Sequence, residues 1–139
     1  MTQFYVDTGY WVALAATLDQ GHANATSFAR TLSTSDKLIT SEFVLLEFLN
    51  YFSERGAIVR KHAASFVHRM EQDSQVHVVP LSRALYRKGF EMYDQFADKG
   101  WSLSDCTSFL IMKEMGLVKV LTFDHHFEQA RFQSPLSHS

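Results

Sequence analysis

The sequence is short of several things, and each shortage excludes something. It carries a single cysteine, Cys106, so no internal disulfide can form, and a reducing compartment suits it. Its two prolines are isolated, and there is no Pro- or Gly-rich linker, repeat or low-complexity tract. No uninterrupted apolar run reaches membrane-spanning length. The opening stretch, MTQFYVDTGYWVALAATLDQ, lacks a basic leader and is interrupted by Asp7, so it does not read as a signal peptide. Neither sign of charge dominates: the formal net charge is −2. A broad basic face for nucleic acid therefore does not follow from global charge, and any such binding must use a local patch. The expectation is a cytoplasmic protein with no membrane association.

What is present points to a packed domain. The chain has 139 residues, 46% of them hydrophobic, with twelve phenylalanines. That is enough for one domain with a real core and argues against disorder. Residues 1–139 are read as a single domain, with a polar tail over about 133–139. Short apolar runs alternate with longer helical patterns. QFYV (3–6), KLIT (37–40), VHVV (76–79) and KVLTF (119–123) read as strands. Helices are expected over about 8–18, 22–32, 42–55, 57–73, 82–99 and 102–115, with Ser41 as a cap and Gly56 and Gly116 as stops. Strands separated by helices imply parallel pairing, because parallel neighbours need a crossover. The strands lack strict alternation, as expected when both faces are covered. The fold class that follows is α/β, a three-layer α/β/α sandwich around a parallel sheet.

Ligands of open parallel sheets bind beyond the carboxyl ends of the strands. Asp7 directly follows the first strand and Asp124 the fourth. Asp105 starts a helix that covers roughly 16 Å before the chain returns along a strand of roughly the same length. Asp105 and Asp124 should thus finish at one edge. Glu47 lies more than a turn into its helix, but its side chain leans toward the helix N-terminus and so toward that edge.

Each acid also has a plain structural reading. Asp7 can be a turn residue or N-cap, and Asp105 completes SLSD, a capping-box pattern. Asp124 can cap a short last helix. Glu47 sits among Phe43, Val44 and Tyr51 with no Lys or Arg three or four residues away, so a buried, unpaired charge there would be costly and a functional role is favoured. Two carboxylates about 4 Å apart repel by about 4 kcal/mol at an effective dielectric near 20. Four together need a cation or must take up protons. All-oxygen donors suit Mg²⁺ or Mn²⁺, and such an ion can activate water for attack on a phosphodiester.

The triplet Asp124-His125-His126 is a competing metal motif. The other histidines, among them His22, His62, His68 and His77, supply no second ligand motif. Adjacent side chains should diverge, so His125 and His126 read as exposed loop histidines or phosphate contacts. A haloacid-dehalogenase-type phosphatase, suggested by FYVDTGYWVAL, would need an Asp two residues after Asp7, where the chain has Gly9. Glu42 reads as surface charge or helix-dipole compensation, Asp98 as a loop charge, Cys106 as core, and Trp101 as either lid or core. Arg55, Arg60, Lys61 and Arg69 stripe one helical region, and Arg83, Arg87 and Lys88 another. Either set can hold RNA phosphates or simply face solvent.

From FYVDTGYWVAL to LTFDHHFEQARF the ordered chain resembles the PIN-domain family, in particular its VapC-type toxin nucleases and their close bacterial relatives. Asp7 matches the first acid, with Thr8 as the hydroxyl residue after it. Glu47 in LITSEFVLLEF, Asp105 in WSLSDC and Asp124 in LTFDHHF match the others in order and spacing. The resemblance implies a sheet of order 3-2-1-4, with a short fifth strand near RFQ. It also implies metal-dependent endoribonuclease activity, frequent homodimerisation, and a small antitoxin protein that blocks the site. On this reading Asp7 and Asp124 coordinate Mg²⁺ or Mn²⁺ most directly, while Glu47 and Asp105 complete the site and orient the attacking water. The competing functions are a non-catalytic RNA-binding or regulatory module on the same scaffold and a structure-specific DNA nuclease.

Overall fold

The computed structural model describes residues 1–136. Its elements are β1 (Gln3–Val6), α1 (Thr8–Ala15), α2 (His22–Ala29), β2 (Lys37–Ser41), α3 (Glu42–Tyr51), α4 (Ala57–Gln72), β3 (Val76–Val79), α5 (Arg83–Gln95), α6 (Leu103–Glu114), β4 (Lys119–Leu121) and α7 (His126–Gln129). The four strands form one sheet of order β3-β2-β1-β4, and every pairing is parallel.

Burial of β1 explains the layers. Phe4, Tyr5 and Val6 are all buried, although successive strand side chains point to opposite faces. Phe4 meets the edge of Phe28 from α2, whereas the Tyr5 hydroxyl lies 2.8 Å from Ser108 Oγ on α6. Helices therefore cover both faces of the sheet. One side is tied together by Trp11, Phe48 and Phe66 from α1, α3 and α4. The other is tied by Trp101, Phe109, Phe127 and Phe132 around α6 and α7. Gly89 lies inside α5 because the helix passes so close to α6 that a Cβ there would come within 2.7 Å of Thr107 Cγ2.

Several expected boundaries shift, each for a local reason. The first helix stops at Ala15 rather than near residue 18, because the Asp19 side chain accepts the Gly21 amide and closes a turn ahead of α2. The second ends in tight turns at Thr31 and Leu32. The last strand ends at Leu121, where the Thr122 hydroxyl turns to a side-chain acceptor. The fifth strand is reduced to one parallel bridge between Lys119 and Gln133. The stretch after Phe132 is not a free polar tail as far as Leu136: Ser134 donates to the Thr122 carbonyl and Leu136 is buried in the core. The rest of that expected tail lies outside the described residues. Among the described residues, no helix is long and apolar enough to cross a membrane.

Candidate active site

Three strand ends supply the floor of the site. Asp7 occupies the N-cap position of α1, yet its side chain makes no capping hydrogen bond. Instead Asp7 Oδ2 accepts from Thr122 Oγ1 at 3.0 Å, and the same hydroxyl oxygen accepts the Asp124 amide at 2.9 Å. Thr122 thus couples the end of β1 to the end of β4. Beneath it, Ser41 Oγ caps α3 through the Val44 amide and accepts from the Tyr5 hydroxyl. Burial raises the Tyr5 phenol far above its ordinary range, so it stays a neutral hydrogen-bonding group.

Asp105 does two things at once. Its backbone amide donates to Ser102 Oγ at 2.9 Å while its Oδ2 accepts the Ser102 amide at 3.1 Å, a complete capping box at the start of α6. The same oxygen lies 3.0 Å from His126 Nδ1. His126 Nδ1 is also 3.2 Å from Asp124 Oδ1, which accepts the His126 amide at 2.9 Å. Carboxylates only accept, so Nδ1 carries the proton and donates between Asp105 and Asp124.

Glu47 closes the site from α3. Its Oε1 accepts from Thr8 Oγ1 at 2.7 Å and from Ser104 Oγ at 2.8 Å, tying the starts of α1 and α6 together. It is exposed, which overturns the expectation of an acid on a buried face. The buried stripe of α3 is Val44, Leu45 and Phe48, and apolar Leu46 and Leu49 are themselves exposed. The apolar surroundings in the sequence therefore overstated the burial.

All four expected acids, Asp7, Glu47, Asp105 and Asp124, line one cleft of about 790 Å³, together with Thr8, Asn50, Tyr51, Ser102, Phe123 and His126. Asp7 is only 9% exposed, and burial first, then Asp105 and Glu47, push its carboxyl up to about 7. The Thr8 amide and the Thr122 hydroxyl pull it back only in part. Burial and the Asp124 charge also raise Asp105, opposed by the Ser102 amide and His126. Burial and neighbouring negative charge thus disfavour the ionised forms of Asp7 and Asp105, and a cation in the cleft would favour them.

The histidine pair needs a correction. The rings of His125 and His126 do not diverge: their centroids are 4.6 Å apart. Ligand atoms of Asp124, His125 and His126 lie within 4.8 Å of one another. His125 is the exposed loop histidine expected, at 74% side-chain exposure, but His126 is at 23% and sits between two site carboxylates. Its Nδ1 is engaged as a donor, so in this arrangement His126 serves the acids rather than replacing them as a ligand. The sequence signal for it was present in the triplet and was discounted because adjacent residues were expected to separate. Thr122, two residues before Asp124, and Ser104 were missed outright.

The remaining candidates resolve away from the cleft. Glu42 lies in the first turn of α3 as expected, but it also accepts the Leu81 amide at 2.6 Å and so ties down the loop after β3. Asp98 is an exposed loop charge beside Lys99. Trp101 packs on Phe96 and Phe109 and donates to Gln129, which makes it part of the aromatic core rim. Cys106 is buried, and its thiol is pushed up to about 11 by burial and Asp105, so it is no thiolate nucleophile. Among the described residues no Lys or Arg lines the acidic cleft. Lys88 instead pairs with Glu114.

The family profile for the PIN domain matches residues 4–133, spanning all four acids. This chain belongs to the PIN-domain family. Among curated PIN-domain relatives it is 27% identical over 128 residues to the 23S rRNA-specific endonuclease VapC20 of Mycobacterium tuberculosis, covering 92% of this chain and 94% of that one. The crystal structure of VapC20, described as a sarcin-ricin loop cleaving toxin, superposes with a TM-score of 0.82 at 24% identity, over 94% of this chain and 96% of that one. VapBC2 from Rickettsia felis, bound to a DNA fragment from its promoter, gives 0.64 at 13% identity, with coverage of 96% and 97%. FitAcB from Neisseria gonorrhoeae gives 0.63 at 17%, covering both chains fully. These superpositions share the PIN fold.

Proposed function

We propose that this PIN domain is a divalent-metal-dependent endoribonuclease that hydrolyses RNA phosphodiester bonds, and that it is the toxin of a toxin–antitoxin pair. The observation that carries the proposal is the convergence of Asp7, Glu47, Asp105 and Asp124 on one cleft, with Asp7 buried and its carboxyl raised by its neighbours. Buried acids so arranged are costly as structure alone but fit a cation well. Asp7 and Asp124 would hold the ion most directly, with Glu47 and Asp105 completing the set. All-oxygen donors favour Mg²⁺ or Mn²⁺. When bound, such an ion supplies neutralisation of phosphate charge and activation of water.

The chain's own groups do the positioning. Thr122 fixes the rotamer of Asp7, and Thr8 and Ser104 fix Glu47. His126 holds Asp105 and Asp124 in register. Asp7 and Asp124 follow strands of one sheet, and Glu47 and Asp105 lie on helices beside it, so a single domain would suffice for the chemistry. The endonuclease relative supports the activity and makes 23S rRNA the first substrate to try. A small antitoxin that places a basic side chain in the acidic cleft would neutralise the acids that otherwise hold the metal. Exposed Tyr86, Phe90 and Tyr93, on one face of α5, support pairing of two copies.

The test is cleavage of total RNA by purified, partner-free protein with Mg²⁺, with Mn²⁺ and with EDTA. The expected result is discrete fragments with either metal and none in EDTA. Intact RNA under every condition would overturn the proposal, and so would cleavage that survives EDTA.

A further inference from the structure

Two aromatic side chains stand at the lip of the acidic cleft. Tyr51 and Phe123 are each 43% exposed. Both line the acidic cleft, and both also line the adjoining hollow of about 950 Å³ that runs past Val12, Asn24 and Leu136. Each is tied to an acid by the chain itself. Phe123 directly precedes Asp124, and Tyr51 follows Glu47 by four residues, one turn along α3.

Both rings rest on neighbouring residues. Phe123 rests against Gly9 and Gly21, and a Cβ on Gly21 would come within 2.9 Å of the ring. That glycine leaves room for the ring at the edge of the cleft. Tyr51 is held by Phe52 at 4.9 Å between centroids and by the Arg55 guanidinium, 4.2 Å from its ring centre. Arg55 is itself anchored by donating from Nε to the Tyr51 carbonyl. One face of the Tyr51 ring is therefore covered by a cation while the residue stays substantially exposed.

Charge decides what such rings are for. Among the described residues Arg55 is the one Lys or Arg lining the acidic cleft or the two hollows that share Tyr51 with it. Apart from the proposed metal ion, phosphate electrostatics, the usual source of affinity for nucleic acid, has only Arg55 to draw on along these hollows. What remains is stacking, available from every unpaired base and indifferent to the charge of the backbone.

We propose that Tyr51 and Phe123 form a stacking platform for unpaired nucleobases beside the scissile phosphate of a single-stranded RNA, with Arg55 backing the Tyr51 ring. The proposal rests on the ribonuclease reading for its ligand and adds the subsite that holds it. It makes the substrate an unpaired segment, because bases buried in a duplex cannot reach the rings.

The test uses the full chain and a short randomised single-stranded RNA carrying 4-thiouridine, irradiated in EDTA, with the crosslinked peptides mapped by mass spectrometry. In parallel, KM and kcat for cleavage with Mn²⁺ are measured for the parent, for Tyr51→Ala with Phe123→Ala, and for Tyr51→Phe with Phe123→Tyr. Expected are crosslinks on Tyr51 and Phe123 that duplex RNA does not displace. The alanine pair should raise KM about tenfold or more, with kcat little changed, while the aromatic pair stays within about twofold. Should the alanine pair fail to fold, the crosslink map and the aromatic pair decide. Crosslinks elsewhere, no crosslink at all, or displacement by duplex RNA as good as by single strands would overturn the proposal. So would an unchanged KM in an alanine pair that loses binding to a protein partner, which would make the rings a protein-docking surface. If the parent crosslinks at these rings but cleaves nothing, the platform stands and the nuclease reading falls. If it cleaves normally and the alanine pair matches it, the reverse holds.

Discussion

The inner and outer walls of the cleft solve the same electrostatic problem differently. On the inner wall, Asp7 and Asp105 are buried at the end of the sheet and their carboxyls are raised by that burial. On the outer wall, Glu47 is exposed and held by the hydroxyls of Thr8 and Ser104. Burial disfavours the charged form of both inner acids, whereas Glu47 meets solvent directly. On the proposed function, a cation would therefore matter most to the inner wall. His126 bridges the two situations, donating to buried Asp105 and half-buried Asp124.

The largest effect that would sharpen this contrast is Asp7→Asn. It should lower RNA cleavage by about a thousandfold or more, read by initial rates at saturating Mn²⁺, because on the proposed function it removes a charge that would hold the ion. Asp105→Asn should follow with a somewhat smaller loss, since Asn can still accept the Ser102 amide and keep the capping box. If both variants cleave at the parent rate, the inner wall is structural and the contrast collapses.

Next in size is His126. His126→Ala should lower kcat by about ten- to a hundredfold by freeing Asp105 and Asp124, in the range seen for residues that orient metal ligands. His126→Asn, whose amide can occupy the place of Nδ1, should recover part of that loss, whereas His125→Ala should stay within about twofold, as expected of an exposed side chain. Equal losses at both histidines would make them ligands and undo the division between acids and their supports.

The smallest effect is on stability and is read without metal. The Asp7 carboxyl sits at about 7 in the folded chain, against 3.8 when solvated. Between those values the folded state keeps a proton that the unfolded chain has lost. Stability in EDTA should therefore fall as pH rises from about 4 to 7, by up to about 1.4 kcal/mol per pH unit, and level off above. Asp7→Asn should flatten that profile, whereas Glu47→Gln should leave it largely in place. Denaturant melts at several pH values separate the two outcomes.

Much of this was legible in the sequence. The strands stood out as short apolar runs, and their order of appearance with intervening helices required a parallel sheet. Asp7 and Asp124 follow strands directly, Asp105 could be placed at the same edge by counting the rise of helix and strand, and Glu47 by the lean of its side chain toward the helix N-terminus. What failed was any inference needing to know which apolar residues meet a neighbour. Leu46 and Leu49 look like core and are exposed, so Glu47 looked buried. Leu136 looks like tail and is buried. His126 was misjudged because a one-turn helix, set by Asp124 accepting the His126 amide, turns its ring back into the cleft. These outcomes depend on contacts between segments far apart in the chain, which local pattern does not encode.

On the proposed function the four acids form one cation site, and its binding depends most on the buried Asp7. Calorimetric titration of Mn²⁺ into the partner-free protein at pH 8, for the parent and for Asp7→Asn, tests it without relying on any RNA. Saturable binding by the parent is expected, with a matching rise in melting temperature, and binding weakened at least about tenfold in the variant. Equal Mn²⁺ affinity in the two proteins, or no binding by the parent, would contradict it.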